Sequence, residues 1–156
     1  MLKKRKKDSF NPVREEREFE QKLIDLRRVT RIVAGGKRLR FRATVVIGDK
    51  KGQIGFGVDK GIDVSEAIMK ATRQAKKNII RVPLKKETIP WQVRAKYKAC
   101  EVLIKPASVG HGLVAGGVIR VAMQLAGVNN VTAKILGAKN KINNIKATFK
   151  ALEQLI

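Results

Sequence analysis

The chain has 156 residues, 44% of them hydrophobic, and its 35 Lys and Arg residues against 13 Asp and Glu give a formal net charge of +22 at pH 7. That hydrophobic content can bury a core and excludes a wholly disordered chain, while the charge indicates a polyanionic partner, with nucleic acid as the first candidate. The single cysteine, Cys100, excludes an intramolecular disulfide and is typical of a reducing compartment. The apolar runs are too short to span a bilayer, so we expect a soluble protein without a membrane partner.

Residues 1–17 are almost all charged or polar. The basic cluster at residues 3–7 lacks the apolar segment of a secretory signal, and the acids that follow argue against a transit peptide. The segment is either a solvated tail or a basic arm that orders on RNA.

Residues 19–33 fit both helical and strand spacing. We favour an extended strand that ends in a basic loop, with Arg27, Arg28, Thr30 and Arg31 before Gly35.

Strict alternation follows in residues 38–47. Leu39, Phe41, Ala43, Val45 and Ile47 fall on one face, which predicts a buried side. Arg38, Arg40, Arg42 and Thr44 fall on the other face, which is either a solvated strand surface or, as we favour, an RNA surface with guanidinium groups at phosphate spacing.

A turn containing Lys50 and Lys51 leads to a second strand, in which Gln53, Gly55 and Gly57 share one face. Glycine weakens a strand, so this alternation predicts the close approach of another backbone or of a ligand. We expect RNA or a neighbouring backbone there. Lys60 follows on the same strand.

A capping box at Asp63 and Glu66 predicts a helix to about Ile80, and Pro83 then marks a boundary. The second half predicts strands over residues 89–97, 100–105 and 130–136, a helix over 118–126, and a last helix capped by Asn140. The fold class is therefore α+β in two small domains, residues 18–82 with a β-β-β-α layer and residues 83–156 with a β-β-α-β-α order.

The glycine-rich loop over residues 108–117 lacks both the GxGxxG and the GxxxxGK spacing. Its backbone amides at Gly110, His111 and Gly112 are candidates for holding an RNA phosphate, and the alternative is a tight turn. One histidine and one cysteine build no metal site, and the scattered carboxylates offer no acid–base pair. We expect no enzyme, no metal and no cofactor.

Three blocks resemble the family of bacterial-type small-subunit ribosomal protein five. They are Gly36-Lys37-x3-Phe41-x-Ala43-x2-Val46-Ile47-Gly48-Asp49-x2-Gly52-x-Ile54-Gly55-x-Gly57, the stretch from Pro106 to Arg120, and Ala133-Lys134-x2-Gly137-x2-Asn140-x-Ile142-Asn143. The chain departs from the family pattern at Asp59, His111 and Lys141.

The resemblance implies a double-stranded-RNA-binding-like first domain and a βαβ unit with a left-handed crossover in the second. It also implies binding to small-subunit rRNA near the neck, contact with ribosomal proteins four and eight, a position by the mRNA entry path, and a role in assembly and decoding fidelity. The location would be the cytoplasmic ribosome, or an organelle stroma for an organelle-encoded protein.

The resemblance places Arg28, Thr30 and Arg31 in the loop near the spectinomycin site. The complete set of RNA-binding candidates is Arg27, Arg28, Thr30, Arg31, Lys37, Arg38, Arg40, Arg42, Lys50, Lys51, Gly55, Gly57, Lys60, Gly110, His111, Gly112, Lys139 and Lys141. A free double-stranded-RNA-binding regulator and an RNA-acting enzyme are the alternative functions.

Overall fold

The computed structural model describes residues 19–156, so the tail predicted for residues 1–17 lies outside the described residues. Within this range the chain forms two four-stranded sheets and three helices. The predicted α+β class is confirmed, with a β-β-β-α region followed by a β-β-α-β-α region and one additional short strand in each half.

The first sheet contains β1 (Glu20–Val33), β2 (Gly36–Gly48), β3 (Gln53–Gly61) and β4 (Ile79–Arg81), in that order and with antiparallel neighbours. β1 continues through Arg27–Arg31, so the predicted basic loop at these residues is wrong. Each residue from Leu26 to Val33 has a partner on β2, and the chain turns only at residues 34 and 35.

Helix α1 (Val64–Lys77) packs on one face of this sheet through small residues, with Ala67, Ala71 and Ala75 fully buried. Gly55 and Gly57 lie directly beneath it, because a Cβ atom at either position would collide with a carbonyl oxygen of the helix. The backbone that approaches the two glycines is therefore α1. The prediction that Gly55 and Gly57 contact RNA is wrong, since the helix buries both.

The ends of α1 follow local chemistry. Asp63 caps the helix by accepting a hydrogen bond from the amide two residues later, and Glu66 accepts one from the amide four residues earlier. The helix ends at Lys77 and not near Ile80 as predicted, because Ile79 and Ile80 pair with β3 and form β4.

The second sheet contains β5 (Val93–Tyr97), β6 (Cys100–Pro106), β7 (Leu113–Val114) and β8 (Val131–Gly137) in the order β5-β6-β8-β7, with α2 (Gly117–Ala126) and α3 (Lys141–Glu153) completing this half. β7 is parallel to β8 and α2 connects them, so this half contains a βαβ unit. β5 begins at Val93 and not at residue 89 as the alternation predicts, and Trp91 is 53% exposed. The predicted end of α2 is confirmed, because Gly127 adopts a left-handed conformation with φ of 82°.

One large buried cluster joins the two halves. Val46 and Ile54 of the first sheet pack in it with α2 and α3, and the Phe56 ring lies against Phe149 with centroids 4.5 Å apart. The turn after β2 is also fixed to the second half, since the Lys50 amide donates to the Leu125 carbonyl oxygen at 3.0 Å. At this end the first sheet is covered by α1 on one face and by the second half on the other.

Candidate nucleic-acid interface

The β1–β2 hairpin extends beyond the rest of the first sheet. β2 pairs with β3 only from Phe41 to Gly48, whereas its pairing with β1 continues to Gly36. Residues 28–40 therefore form a two-stranded ribbon without a third strand, and we call this segment the ribbon. Most of its side chains are exposed.

Arginine dominates one face of the ribbon. Directly opposed residues of an antiparallel pair share a face, so Arg31 lies beside Arg38, and Arg40 lies on the same side. Lys60 of β3 extends this face. These four cations line a concave pocket of about 440 Å³, which we call the arginine pocket.

The uncompensated positive charge of the arginine pocket favours the binding of an anion. No carboxylate lines it, and none of its four cations forms an ion pair among residues 19–156. Like charges opposed across a strand pair are unfavourable, so a bound anion would relieve their repulsion. The planar fork of a guanidinium group matches the two oxygens of a phosphate.

The arginine face stops where the second half covers the sheet. Arg42 is partly buried and its Nε has no hydrogen-bond partner, and Thr44 is fully buried. Arg27, opposite Arg42, is held by Asp25 at 3.0 Å. The prediction that the whole face meets RNA is therefore corrected, since Thr44 belongs to the interior and only the two outermost arginines of β2 are fully open.

The strand register separates the residues that the sequence placed together in a loop. Arg28 and Thr30 project on the opposite face of the ribbon from Arg31, because successive residues of a strand alternate. Lys37 also lies on that opposite face, beside Ile32. Ile32 and Leu39 are 78% and 50% exposed there, so this second face combines cations with open apolar surface.

The turn between β2 and β3 presents one open lysine. The Lys50 ammonium group forms an ion pair with Glu20, whereas Lys51 has no ion pair among the described residues. Asp49 fixes the turn by accepting hydrogen bonds from the amides of Lys51 at 2.7 Å and Gln53 at 2.9 Å. We therefore expect Lys51 to contact an anion more readily than Lys50.

The backbone amides of the glycine-rich loop at Gly110, His111 and Gly112 already have hydrogen-bond partners within the protein. The amides of Gly110 and Gly112 both donate to Oδ1 of the buried Asn130 at 3.1 Å, and the His111 amide donates to the Ser108 carbonyl oxygen. The prediction that these three amides hold a phosphate is therefore wrong, and the tight-turn alternative is correct. The His111 ring is exposed and its Nε2 lies 3.1 Å from the Thr132 hydroxyl.

Lys139 and Lys141 flank the start of α3. Lys141 lies 3.2 Å from Asp25, which also holds Arg27, so one carboxylate joins β1 to α3. A cation in the first helical turn opposes the helix dipole, and this carboxylate compensates for it. Lys139 is exposed and forms no ion pair among the described residues.

Three further cations, outside the predicted set, lie on the outer face of α1. Arg73, Lys76 and Lys77 are exposed, whereas Lys70 is paired with Glu66 at 2.7 Å. Their helical spacing in the sequence was the available signal. They form a second cationic surface on the opposite side of the sheet from the arginine pocket.

The outer face of the second sheet carries a paired cation. Arg94 and Glu101 lie 2.6 Å apart, and this hydrogen bond lowers the pKa of Glu101. Among residues 19–156, no helix is long and apolar enough to cross a membrane, and no three metal-ligating side chains come together.

Two family models match the chain. The model for the ribosomal protein S5 N-terminal domain matches residues 19–83, and that for the ribosomal protein S5 C-terminal domain matches residues 95–156. Proteins named small ribosomal subunit protein uS5 from two strains of Treponema pallidum, one of them strain Nichols, are each 47% identical over 141 residues, which covers 90% of this chain and 82% of each relative.

Proposed function

The chain belongs to the ribosomal protein S5 family, and from this membership we propose that the ribbon is the surface with which it holds small-subunit rRNA. As a member of this family it is a structural, non-enzymatic protein of the small ribosomal subunit, and it binds rRNA. The predicted family, function and non-catalytic role are thereby confirmed.

The observation that supports the ribbon as the contact surface is the arginine pocket. Four cations without carboxylate partners among the described residues line one concavity on paired strands. Each phosphate that they neutralise releases condensed counterions from the RNA, and this release drives binding. Because the strands fix the positions of the arginine groups, binding would hold neighbouring rRNA segments in one geometry.

The remaining contacts that we propose extend this surface. Arg28, Thr30 and Lys37 would meet RNA on the second face of the ribbon, and Lys51 at the turn after β2. Arg27, Arg42, Lys50, His111, Lys139 and Lys141 stay candidates, of which Arg27, Lys50 and Lys141 already hold an acid. An RNA contact at these three would compete with that acid.

We further propose a position near the neck of the subunit and the mRNA entry path, contact with ribosomal proteins four and eight, and a contribution to assembly and decoding fidelity. The chain would work in cytoplasmic ribosomes. We also propose that the chain divides into two domains, one over residues 18–82 and one over residues 83–156.

The test removes two ribbon charges. We expect the double change Arg38→Gln with Arg40→Gln to weaken binding to small-subunit rRNA in a filter-binding assay. It should also reduce the slope of log affinity against log salt by roughly 1.5, because each lost phosphate contact lowers the slope by about 0.7 to 0.9. The melting temperature should change little, since both side chains are exposed.

The matched control is Lys105→Gln with Lys134→Gln, which removes the same charge from exposed positions of the second sheet. The control should keep most of the affinity and slope. Equal losses in the two double variants would show that net charge, and not the ribbon, determines binding.

A further inference from the structure

A second cavity lies away from the ribbon and shares no lining residue with the arginine pocket. Its volume is about 500 Å³, and it opens between β1, the start of α2, the end of β8 and the start of α3. Apolar side chains form its walls, among them Ile24, Val121 and Ile135. We call it the Asn144 groove after the polar residue in its wall.

Asn144 is an unusual residue for this place. It is 2% exposed, it lines the groove, and its Oδ1 atom has no hydrogen-bond partner among the described residues. A buried polar atom without a partner reduces stability. Rotation of the side-chain amide exchanges its oxygen and nitrogen, so Asn144 can offer either an acceptor or a donor to a bound group.

The rim of the groove is positive. Lys139 and Lys141 line it, and Lys141 retains ammonium hydrogens beyond the one that faces Asp25. Gly117, also in the lining, begins α2, and the N-cap residue of that helix is Gly116, which has no side chain to cap it. The start of an uncapped helix favours an anion.

These three properties occur together in one kind of ligand. A nucleotide combines a flat apolar ring, hydrogen-bonding groups on the edge of that ring, and a phosphate. An apolar side chain of a protein partner would fill the walls but would leave the Asn144 amide without a partner and the lysines without an anion.

We propose that the Asn144 groove receives one unpaired nucleotide of the rRNA. The base packs against Val121 and Ile135 and bonds to the Asn144 amide, and its phosphate lies on Lys139 and the start of α2. This inference rests on the proposed function, because it assigns a single-stranded contact to a protein that binds rRNA.

The test titrates the full chain with AMP, GMP, CMP or UMP at millimolar concentration and records NMR spectra. At least one nucleotide should shift the methyl signals of Val121 and Ile135 and the side-chain amide of Asn144 in a saturable way. Ribose 5-phosphate, which carries the phosphate without a base, should not shift them.

A groove-filling variant tests the same point on intact rRNA. Val121→Phe should lower rRNA affinity about tenfold, a change that corresponds to about 1.4 kcal/mol. The control Ile62→Phe changes a residue that is 75% exposed outside the groove, and it should leave the affinity unchanged. If Val121→Phe does not fold, the titration of the unchanged chain still decides the question.

Two results would overturn the inference. If the chain binds rRNA while no mononucleotide moves the groove signals, the groove is not a nucleotide site and the proposed function stands. If an apolar peptide moves those signals and the nucleotides do not, the occupant is a protein. A chain that fails to bind rRNA at all would instead reject the proposed function.

Discussion

At both ends of the β1–β2 hairpin successive side chains point to opposite faces of the sheet, but the two ends have different surroundings. At the end remote from the turn, near Val45 and Val46, the sheet carries α1 on one face and α2 and α3 on the other, and we call this the covered end. At the ribbon end, near Arg31 and Arg38, both faces are open. Alternation therefore determines which side chains share a face, and the rest of the molecule determines whether that face is buried.

Charge differs between the two ends in the same way. Toward the covered end, Arg27 has Asp25 as a partner, and Lys50 has Glu20. In the arginine pocket no cation has an acid among the described residues. We therefore expect substitutions at the covered end to change stability, and substitutions in the ribbon to change RNA binding.

The largest effect should come from opening the shared core. Phe149→Ala removes a ring that is 3% exposed and packs on Phe56, and it should lower the free energy of unfolding by about 3 to 5 kcal/mol. Urea denaturation followed by circular dichroism measures this. Ile156→Ala, at a residue that is 75% exposed, is the control and should change stability by less than about 0.5 kcal/mol. Similar losses in both would contradict a core shared by the two halves.

The next effect concerns the face of the covered end that packs on α1. Gly57→Ala places a methyl group against the Ala71 carbonyl oxygen, so we expect a loss of about 1 to 3 kcal/mol in the same denaturation experiment. Gly35→Ala, at the ribbon tip, adds its methyl group where no atom lies within 4 Å, and it should be nearly neutral. A stable Gly57→Ala protein would show that α1 can move away from the sheet.

A smaller effect should follow from the carboxylate between the two ends. Asp25→Asn leaves Arg27 and Lys141 without their shared acid, and because these partners are 63% and 50% exposed, the loss should be about 1 kcal/mol or less. The difference in unfolding free energy should shrink in high salt. Glu153→Gln, an exposed carboxylate outside the described ion pairs, is the control. A difference that salt leaves unchanged would point to packing and not to charge.

The smallest effect is a pH dependence at exposed carboxylates. Hydrogen bonds from Arg94 and from Ser65 lower the pKa values of Glu101 and Asp63 in the folded protein. The unfolded chain then takes up protons first as pH falls, so the stabilisation is present at neutral pH and is lost as pH decreases from about 4.5 downward.

Melting temperature measured against pH tests this dependence. Glu101→Gln should reduce the acid sensitivity slightly, whereas Arg38→Gln in the ribbon should leave it unchanged, because no carboxylate lines the arginine pocket. An equal change in both variants would mean that the acid response comes from overall charge repulsion.

The sequence predicted the local features of the fold well. Asp63 and Asn140 begin helices as expected, Gly127 ends one, and the alternation in β2 identifies the side that packs on α1. These features depend on a few neighbouring residues, through caps, left-handed glycine and period two. The positive charge likewise identified the partner class, since net charge is a property of composition alone.

Contacts between distant segments decided the rest. Gly55 and Gly57 left room for a backbone, but their sequence does not say that the backbone is α1. The local sequence of the glycine-rich loop gives the amides of Gly110 and Gly112 no partner, and the fold supplies one in Asn130, about twenty residues away. The sequence by itself determined the three helices, the caps at Asp63, Gly127 and Asn140, most of the strands and the charge of this protein, but it did not indicate β4 or β7. Only the tertiary structure decided which faces are covered and which cations keep an open side, because coverage depends on segments that are far apart in the chain.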